Sequence, residues 1–176
     1  MGAERLIPLV VLAVVAVGCE GGVRQTSEQP PADMRAVVER VNDGDTLTLR
    51  DGRQVRLVQI DAPELVADCY GRAAARDLAA LVPRGAHVIL RRDPRLDAVD
   101  RYGRLLRYVL VGRTNVNVAL VRRGAASPYF FRRARGRYAD ALLAAVDDAR
   151  AQRRGYWGAC PRAELNTGIG AITGPP

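Results

Sequence analysis

From Arg35 onward the chain alternates short apolar runs with turn-forming residues. Arg35–Val41 is apolar-rich and is closed by Asn42-Asp43-Gly44, a turn signal. Thr46–Arg50 alternates threonine with leucine, and Asp51-Gly52 predicts a hairpin turn. Gln54–Ile60 alternates again, with Val55, Leu57 and Gln59 on one side and Arg56, Val58 and Ile60 on the other. Because a two-residue period sends neighbouring side chains to opposite faces, the three segments predict a meander of strands. The period then changes. Gly71–Val82 sets Ala75, Leu78, Ala79 and Val82 at helical spacing, and Pro83 ends it. Ala86–Leu90 and Leu105–Val111 predict two further strands. Asn115–Arg123 predicts a short helix ended by Gly124. Gly136–Arg154 predicts a longer one, with Ala141, Leu142, Ala145, Val146 and Ala149 inward and Gly155 after it. Five short strands with three helices predict an α+β, mainly β fold: a small OB-fold barrel, with a flat α+β sheet as the other arrangement open to the pattern.

The two ends read differently. Leu6 to Val17 is an apolar run broken only by Pro8, about a dozen residues, which suits a signal sequence and is too short for a spanning helix. It ends Ala16-Val17-Gly18-Cys19, similar to a bacterial lipobox in which Cys19 becomes the lipidated first residue. Ala16 stands where Leu is commoner, and ordinary secretory cleavage nearby is the alternative. Residues 1–18 are therefore expected to be a signal peptide and 19–34 a polar, Gly/Pro-containing tether. A single domain should occupy 35–160, and 161–176, rich in Gly and Pro, reads as a loose tail.

Charge and cysteine content sharpen this picture. The chain of 176 residues carries 27 basic against 19 acidic residues, net +8, and every basic residue is Arg. Removing residues 1–18 takes away one Glu and one Arg, so the charge is unchanged. Arg presents a planar fork suited to phosphate and carboxylate oxygens. A pI near 10.2 points toward a polyanionic partner, nucleic acid or an anionic membrane surface, with a merely solvated basic surface as the alternative left open by charge alone. There are three cysteines. With Cys19 lipidated, Cys69 and Cys160 remain to pair in an oxidising compartment; two separate buried thiols are the alternative.

Between Asn42 and Leu65 lie five carboxylates and three arginines. Asp43, Asp45, Asp61 and Glu64 fall at turns and strand ends. Asp45 opens one predicted strand and Asp61 closes the next, so a hairpin at Asp51-Gly52 brings them together. Converging carboxylates repel unless a positive charge sits between them. A hard divalent cation would answer that, and Arg56 offers a fork for anionic oxygens. The alternative is Asp residues doing ordinary turn chemistry. His87 lies in a predicted strand and reads as structural. Tyr129, Phe130 and Phe131, before an Arg cluster, could stack bases or pack the last helix.

Asp43-Gly44-Asp45-Thr46, Arg56-Leu57, Ile60-Asp61-Ala62-Pro63-Glu64 and Asp100-Arg101-Tyr102-Gly103-Arg104 resemble the staphylococcal-nuclease (thermonuclease) family. So does Asn117-Val118-Ala119-Leu120-Val121-Arg122-Arg123-Gly124, followed by a final helix into Gly155-Tyr156-Trp157. The similarity is collinear from about Arg35 to Trp157. It implies an OB-fold barrel and Ca²⁺-dependent hydrolysis of DNA or RNA phosphodiesters, leaving 3′-phosphates. By position it implies Ca²⁺ ligands at Asp45, Asp61 and the carbonyl of Ala62, where relatives often have Thr. It implies a general base at Glu64, phosphate-binding arginines at Arg56 and Arg104, and Tyr102 near the substrate phosphate. The segment after Glu64, carrying Cys69, is shorter than the family's. The expected protein is an exported, membrane-anchored or secreted monomeric nuclease. The competing expectation, a non-catalytic nucleic-acid-binding OB-fold lipoprotein, does not call for all five of these acids and arginines together.

Overall fold

The computed structural model describes residues 33–175. The expected signal peptide, Cys19 and nearly all of the tether lie outside these residues. In chain order the elements are β1 (Met34–Val41), β2 (Thr46–Leu49), β3 (Gln54–Leu57), β4 (Ile60–Asp61), α1 (Gly71–Leu81), β5 (His87–Arg91), β6 (Leu105–Val111) and β7 (Thr114–Asn115). There follow α2 (Val116–Arg123), β8 (Ser127–Pro128), a 3₁₀ turn (Phe131–Arg133), α3 (Ala139–Ala151), the single-turn α4 (Tyr156–Ala159), β9 (Glu164–Asn166) and β10 (Gly170–Ile172).

Five strands close on themselves in the order β1-β2-β3-β6-β5 and back to β1, with β3–β6 the parallel pair. The fold is a closed five-stranded OB-type barrel with three principal helices. Closure depends on β1 serving two partners. Its first half pairs β5 (Met34↔Leu90) and its second half pairs β2 (Val41↔Leu47), with a register irregularity between Val38 and Arg40. Such an irregularity bends a strand and lets one sheet curl into a barrel. Val38, Leu47, Val55, Leu57, Leu90 and Val109 fill the core, and Leu120 and Val121 of α2 and Leu142 and Val146 of α3 extend it. Among the described residues no helix is long and apolar enough to cross a membrane.

Two segments differ from the sequence pattern. The alternation from Gln54 predicts one strand to Ile60, but the strand stops at Leu57. Gln59 takes a left-handed φ of 65° and turns the chain, so β4 pairs with β8 rather than continuing β3. The buried Gln59 amide explains the break. It donates to the Ala134 carbonyl (2.7 Å) and accepts from the Gly136 amide (2.6 Å), an anchor supplied from more than seventy residues away. The stretch expected as a loose tail, 161–176, instead contains the hairpin β9–β10, in register Gly170↔Asn166. Its Thr167 carbonyl accepts from Phe130 N–H, its Leu165 packs on the core, and Thr173 beyond it is buried. Gly and Pro content marks turns as readily as disorder, and here the backbone partners decide.

Candidate active site

One end of the barrel opens as a cleft of about 310 Å³. Asp45, Arg56, Asp61, Ala62, Glu64 and Arg104 all line it. Asp45 comes from the turn before β2, Arg56 from β3, Asp61 and Ala62 from the end of β4, and Arg104 from the turn before β6. The turn is packed tightly at Gly44, where a Cβ would lie 2.5 Å from that of Ala62 and 2.9 Å from that of Ala74. Asp43 supports it by accepting the Asp45 amide at 3.0 Å.

Asp45 is buried. Its Oδ2 accepts from the Ala62 amide (2.8 Å) and pairs with Arg56 Nη2 (3.1 Å), while Oδ1 accepts from Thr46 Oγ1. Burial pushes its carboxyl up to about 7; Arg56 opposes the rise but does not cancel it, and the charges of Asp43 and Asp61 add to it. Asp61 is also raised, by burial first, against Arg56 and a backbone amide that pull it down. Its Oδ1 accepts from Arg56 Nη2 at 2.6 Å and its Oδ2 from the Ala171 amide at 2.9 Å. Arg56 thus stands between the two acids. Its Nη1 is spent on the carbonyls of Leu57 (3.0 Å) and Ile60 (2.8 Å).

Glu64 is exposed at the cleft edge, and its carboxylate makes no hydrogen bond or ion pair among the described residues. Its backbone is held by Asp68, whose Oδ2 accepts the Glu64 amide at 2.8 Å. Arg104 is oriented through Nε, 2.7 Å from Asp100 Oδ2, and its terminal nitrogens are unpaired among the described residues. Burial works against ionisation of Asp100, but its bonds to Arg104 and to the Arg104 and Tyr102 amides hold it below the ordinary range. Tyr102 is on the same turn, 67% exposed and outside the cleft lining, with Arg104 5.4 Å from its ring centre.

Among the described residues, no three His, Cys, Asp or Glu side chains converge as a metal cage. What converges is two carboxylates short of positive charge, beside a backbone turn. That donor set fits a hard cation completing its shell with carbonyl and water oxygens, and does not fit a soft, nitrogen- or sulfur-seeking one.

Other residues singled out in the sequence fall elsewhere. His87 opens β5 on the surface. Phe130 is buried in the core, whereas Phe131 is 52% exposed beside Arg132. Cys69 and Cys160 are joined by a disulfide. Asp68, Asp100 and Ala171 hold candidate site residues, yet sequence reasoning gave them no role. Asp100 had a readable signal, an Asp three residues before the turn glycine Gly103. A backbone amide such as that of Ala171 has none.

Residues 54–159 match the family described as Staphylococcal nuclease homologue. An uncharacterized endonuclease of Escherichia coli is 40% identical over 132 residues, covering 72% of this chain and 78% of that protein. A micrococcal nuclease of Shigella flexneri is 37% identical over 139 residues, covering 72% and 75% respectively. A thermonuclease of Staphylococcus intermedius is 33% identical over 137 residues, covering 71% and 77%.

Proposed function

The chain belongs to the staphylococcal nuclease homologue family, and on that premise we propose that it is a Ca²⁺-dependent nuclease leaving 3′-phosphate ends. That it is a nuclease acting on nucleic acid follows from family and relatives together. The metal rests on the cleft, and the product ends on the family resemblance alone. The observation that carries the metal is the meeting of Asp45 and Asp61, both raised by burial, around one opening with Glu64 and Arg104, whose carboxylate and terminal nitrogens respectively have no partner among the described residues.

Asp45, Asp61 and the Ala62 carbonyl would hold the ion, which supplies positive charge where the phosphoryl oxygens gather negative charge. Glu64 takes a proton from the attacking water, and its lack of a partner among the described residues suits that task. Arg104 brings its terminal nitrogens to the phosphoryl oxygens, with Asp100 fixing the guanidinium so that little reorganisation is needed. Arg56 adds charge at the same place. Its Nη2 alone also keeps two like-charged carboxylates within reach of one another. Tyr102 offers a ring and a hydroxyl at the outer edge of the substrate path.

Residues 1–34 carry the rest of the proposal: export, lipid attachment at Cys19 and a tether holding a monomeric domain outside the membrane, or simple secretion. The mass of the mature N-terminal peptide separates these two. For catalysis, plasmid and single-stranded DNA would be digested by the exported chain with Ca²⁺ and with chelator. Cutting should require Ca²⁺, the ends should accept a phosphatase specific for 3′-phosphate, and Glu64→Ala should fold normally yet lose about 10²–10⁴ in rate. Undiminished digestion in excess chelator would overturn the metal assignment.

A further inference from the structure

We propose that the C-terminal hairpin β9–β10 is a positioning element of the active site, clamping Asp61 through the backbone amide of Ala171. This deepens the reading of Asp61 as a cation ligand and rests on it. The family match ends at residue 159, so the hairpin lies wholly outside the matched segment. It nevertheless reaches Asp61, which lines the cleft. The Ala171 amide donates to Asp61 Oδ2 at 2.9 Å, 110 positions away in sequence. Arg56 holds the other oxygen, so each oxygen of the carboxylate has its own partner and its orientation is set by both.

The approach is close enough to dictate a residue. Gly170 has φ +112°, and a Cβ there would sit 2.2 Å from Asp61 Oδ2 and 2.7 Å from its Cγ. Only glycine meets both demands. The hairpin is itself held on three sides. Thr167 O accepts from Phe130 N–H (2.7 Å), Gly174 O accepts from Cys69 N–H (2.8 Å), and the Cys69–Cys160 disulfide fixes the chain just before it. An amide delivered on so constrained a strand can orient a ligand rather than follow it. Losing a partner of this kind typically costs about 10–100-fold in metal affinity or activity.

The test compares the full exported chain with Gly170→Ala, and with Gly168→Ala in the same hairpin, where a Cβ meets nothing nearer than 3.5 Å. Ca²⁺ affinity by calorimetry, kcat and KM for DNA, and melting temperature are the readouts. Gly170→Ala should weaken Ca²⁺ by about 10–100-fold and lower kcat while leaving KM near its original value. Gly168→Ala should do neither. In an Asp61→Ala background the melting penalty of Gly170→Ala should shrink, because the colliding carboxylate is gone. Independently of any metal, Asp61→Ala should speed hydrogen exchange at the Ala171 amide. Unchanged exchange there, or Gly170→Ala matching the parent in Ca²⁺ affinity and kcat, would overturn the clamp. A parent that neither binds Ca²⁺ nor cuts would instead overturn the calcium assignment, and the exchange measurement would still decide the clamp.

Discussion

At the scale of residues, the cleft divides its two arginines between different tasks. Arg56 is engaged by four protein acceptors, two carboxylates and two carbonyls. Among the described residues Arg104 is held by one carboxylate, at Nε. Replacing either by Lys keeps the charge and loses the fork, but the consequences should differ. Arg56→Lys should lower both melting temperature and cutting rate, because one ammonium cannot reach all four acceptors. Arg104→Lys should lower kcat and leave the melting temperature near that of the parent; equal melting losses in both would reject the division. Outside the cleft, Asp93 gives a pH prediction. Burial disfavours its charge, but Arg95 and the Arg137 and Arg95 amides outweigh that and hold its carboxyl below the ordinary range. A carboxyl lowered on folding binds fewer protons in the native state, so its stabilisation is present above the unfolded value and lost as pH falls through the folded one. Asp93→Asn should therefore melt below the parent at neutral pH, with the gap narrowing below about pH 4. A gap constant across pH would show that the ionised form contributes nothing.

At the scale of elements, the five barrel strands and three helices were legible because each has a clean period bounded by glycine, proline or Asx turns. The places where the pattern misled have long-range causes. Val58 to Ile60 alternates like a strand, but Gln59 answers to Ala134 and Gly136 rather than to its neighbours. The hairpin after Cys160 is too short and polar to show a period, and its order comes from Phe130, Cys69 and Asp61. The acids and arginines of the cleft were visible as residue types at turns; the amides that orient them were not, since every residue has one. Asn117 shows how an element is placed by such contacts. Wholly buried at the start of α2, it accepts from the Val109 amide (3.0 Å) and donates to the Val58 carbonyl (2.8 Å), stitching the helix to the barrel. Asn117→Ala should cost roughly 1–3 kcal/mol for each backbone group left unpaired, read by urea unfolding. A loss within error would mean that water replaces the amide fully.

For the whole molecule, the disulfide joins the parts that the chain order separates. Cys69 follows Asp68, which holds the Glu64 backbone, and its own amide is bonded to Gly174 beyond the hairpin. Cys160 ends α4 and leads into that hairpin. The bond therefore ties the loop carrying the proposed base to the strand that reaches Asp61. It closes 91 positions of chain, for which the chain-entropy account gives about 4–5 kcal/mol, although delivered values are often smaller. Substrate affinity is expected to have a different origin. With a net charge of +8 and every basic residue an Arg, binding to nucleic acid should draw on phosphate contacts and weaken steeply with salt. Reduction therefore separates the two. Breaking the bond should lower the melting temperature and release both the Glu64 loop and the hairpin, while the Arg surface keeps its charge. Cutting should then fall several-fold more than DNA binding, and Cys69→Ser with Cys160→Ser should reproduce the effect without reductant. Equal losses in cutting and binding would mean that the bond supports the fold as a whole, with no preference for the cleft.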